Sequence, residues 1–329
     1  YTSIDQHIDI QETLEMRTAM IRNTAESFHP DIFIVDKEPM GLRGELQPVL
    51  SELKSQDCTL VLGLRDVMDS PPMLKSEWQR TGMLEKIEKL YDEIWIYGPE
   101  SFWDPLKGLD VSEALRNRMS FTGFLDRSIP QSYSSVTEKR PPYVLVTTGG
   151  GGDGARLLRQ VLNAYESSRS IDRDAIMVLG PFMPSDERDE ILNRASHLAK
   201  VHVIEFDNRI EKLIADCDAF VGMCGYNTFC EVLAFDKPAL LVPRVRPREE
   251  QYVRAERARD VGLIDMLHPH DADDPKVMAE ALQAVVKRPR PSEVRLDDWM
   301  AGLDNIAKLV EDIIIRRERP ALSVVRGGY

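Results

Sequence analysis

The chain has 329 residues, 43 % of them hydrophobic and 29 % charged, with a net charge of -13. That length suggests two domains of about 150 residues. The acidity argues against a nucleic acid held by phosphate contacts and against a polybasic grip on anionic lipid. Cys58, Cys217, Cys224 and Cys230 have neither zinc nor disulfide spacing, so a reducing cytoplasm is expected. No apolar run reaches the roughly 18 residues that span a bilayer.

In chain order, the pattern predicts a helix over residues 12–27 and a first strand over 31–36. A polar turn at 37–44 leads into a helix ending near Leu53, and strands follow at 59–64, 93–97 and 119–123. Asp36, Lys37, Arg65 and Asp66 stand just past the carboxyl ends of two strands, where site residues of α/β folds collect. They are candidates to face an acceptor, with Asp66 as the candidate general base; ion pairs and turn caps are the plainer account. Residues 124–141, rich in Ser, Pro and charge, read as a linker.

The second half opens with an apolar strand over 142–148 that runs into Gly149, Gly150, Gly151, Gly152, Asp153 and Gly154, then an amphipathic helix over 155–165. Glycines after a strand allow positive φ and close backbone approach, and the next helix adds its dipole. No Gly-Lys-Ser/Thr follows, so this is not a Walker A loop, and the spacing does not suit a dinucleotide fingerprint. The alternative is a flexible surface turn. Strands at 175–180, 201–206 and 219–222 alternate with helices at 185–197 and 209–215, which implies a parallel, doubly wound sheet.

After the strand at 219–222 come Cys224, Gly225, Tyr226, Asn227 and Thr228, then Glu231 three residues on, and a further strand closed by Pro243. Asn227 or Thr228 is expected to cap the helix and leave its first N–H groups for an anion. Glu231 would face the same mouth, placed to accept hydrogen bonds from a ribose diol. A capping box between Thr228 and Glu231 is the competing reading. The polar stretch 244–251 carries three arginines and ends in Glu250 and Gln251. It overhangs the same cleft and is suited to a diphosphate or an anionic acceptor, unless it is only a solvated charge run. His268, His270 and Asp271 are expected to be loop polarity away from the cleft. An amphipathic helix over 303–316 precedes a tail.

The order of Gly-Tyr-Asn-Thr, Glu231, Lys-Pro-Ala-Leu-Leu-Val-Pro and the pair Glu250-Gln251 resembles the C-terminal domain of GT-B glycosyltransferases, most of all the MurG type that transfers N-acetylglucosamine from UDP. Gly154-Ala155-Arg156 matches the tail of that family's diphosphate loop, and Cys224 replaces the first of its paired glycines. The resemblance implies an α/β GT-B fold, two Rossmann-like doubly wound domains facing across a cleft. The N-terminal domain (1–123) would lack its first βα units; the linker (124–141), the nucleotide-sugar domain (142–300), a helix crossing back (301–318) and a tail (319–329) follow. It implies a nucleotide site of Gly149 to Gly152, Gly154, Arg156, Phe206, Gly225, Asn227, Thr228 and Glu231, with Glu250 and Gln251 on the donor sugar. Core packing at a strand end is the competing reading for Phe206.

The implied reaction is metal-free, inverting transfer of a hexosyl or N-acetylhexosaminyl group from a UDP-sugar to a hydroxyl acceptor, lipid-linked or polysaccharide, with no cofactor. The implied place is the cytoplasm, at the inner membrane. A UDP-sugar 2-epimerase, a nucleotide-sugar hydrolase and a non-catalytic nucleotide-sugar-binding subunit are the alternatives; the lack of a cleft histidine argues against the epimerase.

Overall fold

The computed structural model describes residues 9–126, 141–149, 154–207, 210–294 and 299–318. The first domain holds α1 (Ile10–Phe28), β1 (Ile32–Asp36), α2 (Gln47–Ser55), β2 (Thr59–Arg65), α3 (Pro71–Thr81), α4 (Met83–Leu90), β3 (Glu93–Tyr97), α5 (Glu113–Arg116) and β4 (Met119–Phe121). Its strands are parallel and lie in chain order, β1-β2-β3-β4. Parallel strands bury both faces and so read as continuous apolar runs. In β2 everything from Leu60 to Leu64 is buried.

The second domain holds β5 (Tyr143–Thr147), α6 (Ala155–Ser167), β6 (Asp174–Val178), α7 (Ser185–Ser196), β7 (Val201–Ile204), α8 (Ile210–Asp216), β8 (Ala219–Gly222) and α9 (Tyr226–Ala234). It continues with β9 (Ala239–Leu241), α10 (Glu250–Asp260), β10 (Asp265–Met266), α11 (Pro275–Val285) and α12 (Pro291–Val294). The sheet order is β10-β9-β8-β5-β6-β7, all parallel. The chain therefore works outward from β5 to β7, returns to the other side of β5, and works outward again to β10. The crevice between the carboxyl ends of β5 and β8 is the switch point at which such sheets bind ligands.

The last helix, α13 (Gly302–Glu318), lies against the first domain. Arg316 pairs with Glu93, Arg317 with Asp31, and Asn305 Nδ2 donates to the Thr122 carbonyl at 2.9 Å. Phe124, the first residue of the expected linker, is instead core. It is fully buried and stacks edge-on against Phe102 (5.2 Å) and Phe229 (5.4 Å), so residues of both domains share one aromatic cluster. Such pairs contribute roughly 0.5–1.5 kcal/mol each beyond their buried area. Residues 127–140 of the expected linker lie outside the described residues.

One ion pair crosses the interface with no access to water. Arg254 on α10 is 1 % exposed and Asp66, just after β2, is 0 % exposed. The guanidinium Nε and Nη2 donate to the carboxylate at 2.7–3.0 Å, Nη2 also donates to the Val67 carbonyl, and Nη1 donates to the Cys224 carbonyl at 2.9 Å. One side chain thus ties the first domain to the turn that leads into α9. Three lesser links surround it. The Glu249 N–H donates to Asp69 (2.9 Å), Arg248 pairs with Glu77 (3.3 Å), and Arg257 donates to the Phe102 carbonyl (2.8 Å).

Removing one partner of a buried pair strands the other, at a cost of about 3–5 kcal/mol. Arg254→Ala is expected to lose that much in chemical unfolding, and the double variant Arg254→Met, Asp66→Leu to recover most of it. A loss below about 1 kcal/mol in the single variant would contradict a dry interface.

Candidate active site

The loop after β5 and the turn after β8 meet at the switch point. Gly149 takes φ +68°, a left-handed conformation that costs an L side chain about 1–2 kcal/mol. A Cβ placed on it would stand 3.8 Å from Thr228 Oγ1, so this loop lies directly beside the first turn of α9. Gly154 precedes α6 at the far end of the loop, and a Cβ there would come within 2.1 Å of the Thr148 side chain. Thr148 and Gly154 approach this closely only because residue 154 has no side chain. Gly150, Gly151 and Gly152 lie outside the described residues.

α9 begins two or three residues earlier than the capping expectation requires. Gly225, extended at φ −63° and ψ 150°, is the N-cap, and no side chain caps the helix. Asn227 and Thr228 are therefore the second and third helical residues, and the Thr228–Glu231 capping box does not form. The leading N–H groups have no partner within the helix, and the positive end of its dipole opens toward Gly149. Asn227 is exposed, and Thr228 and Glu231 are half-buried one turn apart. Tyr226, Phe229 and Cys230 are buried on the opposite side. Cys224 is buried as well; burial pushes its thiol up to about 12, which keeps it neutral while its carbonyl holds Arg254.

Across the mouth, Glu250 and Gln251 open α10, each 8 % exposed. Arg244 Nη2 donates to Glu250 Oε1 at 2.6 Å, and the Arg244 N–H donates to Gln251 Oε1 at 3.2 Å. Glu250 Oε2 and Thr148 Oγ1 are buried and have no hydrogen-bond partner among the described residues. Leaving such atoms unpaired costs about 1–3 kcal/mol each, a cost that a bound hydroxyl or phosphate would relieve. Phe206, at the carboxyl end of β7, is 68 % exposed rather than packed in the core.

A cavity of about 780 Å³ opens beyond α9, among the first turn of α6 and the loops after β8, β9 and β10. Arg156 lines it while pairing with Asp273 and donating to the Pro269 carbonyl at 3.2 Å. Arg244, Arg246, His268 and His270 line it too. This corrects the expectation that the two histidines lie away from the cleft: β10 is short and ends beside β9, so its loop folds over the same opening. Their rings stack at 5.3 Å.

Asp66 is not the base. A carboxylate held by a guanidinium and sealed from solvent cannot reach a substrate proton. Its neighbour Arg65 lies over the Tyr226 ring (5.4 Å) and pairs loosely with Asp36 (3.5 Å). Lys37, in a left-handed conformation at φ 68°, sits close enough to Arg65, Arg248 and Glu250 to feel their charges. No role was expected at Arg254, Tyr226 or Thr148. Arg254 was the most accessible of these, since it stands one helical turn after Glu250 and Gln251 and so shares their face.

Residues 143–298 match the glycosyltransferase family 28 C-terminal domain. Two relatives carry the name UDP-N-acetylglucosamine–N-acetylmuramyl-(pentapeptide) pyrophosphoryl-undecaprenol N-acetylglucosamine transferase. That of Prochlorococcus marinus is 25 % identical over 44 % of this chain and 36 % of its own length. That of Finegoldia magna is 23 % identical over 74 % of this chain and 68 % of its own. The chain thus spans between about a third and two thirds of these curated relatives. Among solved structures, the calicheamicin glycosyltransferase CalG4 superposes with a TM-score of 0.61 at 15 % identity, over 97 % of this chain and 86 % of that one. MurG of Acinetobacter baumannii gives 0.53 at 11 % identity (94 % and 83 % covered). A UDP-GlcNAc 2-epimerase from Neisseria meningitidis gives 0.57 at 12 % (95 % and 83 % covered). The fold is GT-B, and the resemblance to MurG-type enzymes appears in both sequence and structure.

Burial first, and then the charge of Arg65, lower the Lys37 amine below its ordinary value. The unfolded chain then binds more protons between the lowered value and about 10.4, so stability rises with pH across that window. Lys37→Met is expected to raise the melting temperature at pH 7, with the gain fading as pH climbs toward 10. A gain that does not change with pH would contradict this.

Proposed function

We propose that this chain is a glycosyltransferase that takes a hexosyl or N-acetylhexosaminyl group from a UDP-sugar and passes it to an acceptor hydroxyl with inversion. The observation that carries this reading is the uncapped N-terminus of α9 opening onto the positive-φ Gly149, with Glu231 one turn further along the same helix. The diphosphate would lie against the loop amides and the helix end, and the ribose diol against Glu231. Phe206 offers a face for the base, and Glu250 Oε2 and Gln251 would meet the sugar hydroxyls. As the bond from the anomeric carbon to the diphosphate breaks, charge grows on the leaving phosphate. Fixed amides and a helix dipole stabilise that charge without reorganising. The acceptor oxygen attacks from the opposite face and its proton passes to a base.

The donor requires no bound metal in this reading, because the loop amides and the α9 dipole supply the positive field. The acceptor would enter from the first domain, past Lys37 and Arg65. Relatives named for a pyrophosphoryl-undecaprenol substrate favour a lipid-linked acceptor met at the membrane surface. Among the described residues no helix is long and apolar enough to cross a membrane. A 2-epimerase is the second reading. His268 and His270 remove the argument from a missing histidine, whereas the relatives matched in sequence are named as transferases.

Isothermal titration with UDP is expected to give micromolar affinity, weakened at least tenfold by Glu231→Ala. Equal binding by the variant would remove Glu231 from the ribose. Conversion of UDP-N-acetylglucosamine to its 2-epimer, without transfer, would favour the second reading.

A further inference from the structure

We propose that the donor sugar carries a carboxylate, so that this site is built for a nucleoside-diphosphate hexuronate; the inference rests on the UDP-sugar reading above. Strand order acts as a ruler across the site. Phe206 ends β7, Gly149 and the start of α9 mark the carboxyl ends of β5 and β8, and the cavity opens beyond β8 over β9 and β10. A donor laid along this line places its base toward β7, its diphosphate at the switch point and its sugar in the cavity. Arg244 confirms the connection in space: it lines the cavity and bonds both Glu250 and Gln251.

The cavity wall is unusual for this protein. In a chain of net charge -13, the polar side chains lining it are Arg156, Gln160, Arg244, Arg246, His268 and His270, with no carboxylate among the described residues that line it. Asp273 and Glu250 neutralise Arg156 and Arg244 from behind. Arg246 makes no ion pair among the described residues. The wall is therefore dominated by N–H donors. A neutral hexose offers hydroxyls that both donate and accept, and such a wall would leave much of their donor capacity unmet. A carboxylate accepts only, and a guanidinium can hold it through two parallel bonds. Glu250 Oε2, an orphaned acceptor beside Arg244, remains for a ring hydroxyl, so the carboxylate would lie on the Arg246 and His268 side.

The test titrates the full chain with UDP, UDP-glucose and UDP-glucuronate, and repeats the series with Arg246→Gln; Arg246 is exposed, so the variant should fold normally. The expected result is UDP-glucuronate binding at least tenfold tighter than UDP-glucose, with that ratio falling to about two or less in the variant. Equal affinity for the two sugars overturns the proposal while leaving the donor site standing. So does a variant that loses UDP affinity as much as UDP-glucuronate affinity, because Arg246 would then hold the diphosphate. Failure to bind UDP at all overturns the donor-site reading and this proposal together.

Discussion

The Arg254–Asp66 pair is the constraint on which the rest of the arrangement depends. A fully buried ion pair adds little net stability, since desolvation offsets most of its attraction. Its value is geometric. The guanidinium accepts no substitute partner within the dry interface, so it fixes Asp66 and Val67 of the first domain against the Cys224 carbonyl of the second. The turn at Cys224 and Gly225 sets where α9 begins, and Phe229 pins the same helix into the shared aromatic cluster. Placement of the uncapped end of α9 is thereby tied to the relative orientation of the two domains.

This explains a contrast within α9. Its inward residues, Tyr226, Phe229 and Cys230, are buried, while Asn227 is exposed and Thr228 and Glu231 are half-buried, with Thr228 beside Gly149. A nine-residue helix would be marginal in isolation. Packing holds its apolar side and leaves the leading amides uncommitted. The site is preorganised by the core beneath it rather than by its own loops.

Much of the fold was legible because parallel strands buried on both faces leave unmistakable apolar runs, as at 59–64 and 143–147, punctuated by glycine. The glycine loop and the Thr228–Glu231 segment were legible for the same local reasons, and the structure sets Gly149 beside Thr228. What could not be read was long-range. Asp66 looks like a free carboxylate at a strand end until Arg254, 188 residues later, closes over it. Phe124 looks like the start of a polar linker until Phe102, Phe229 and Trp299 surround it. His268 and His270 sit in an ordinary polar loop, and only the fold shows that this loop, just after the two-residue β10, lines the cavity. The choice of cap at α9 was local but misjudged: Asn is a stronger cap former than Gly in general and Thr about its equal, yet Gly225 is the N-cap and Tyr226, the first helical residue, is buried.

In the proposed function, the amides of the β5 loop and the first turn of α9 hold the phosphate oxygens of a nucleotide. Hydrogen exchange followed by mass spectrometry, with and without UDP, reads those amides directly. UDP is expected to slow exchange in peptides spanning residues 147–156 and 222–229, and to leave those spanning β1 and α2 unchanged. Protection confined to the first domain, or none in either loop despite saturating UDP, would contradict it.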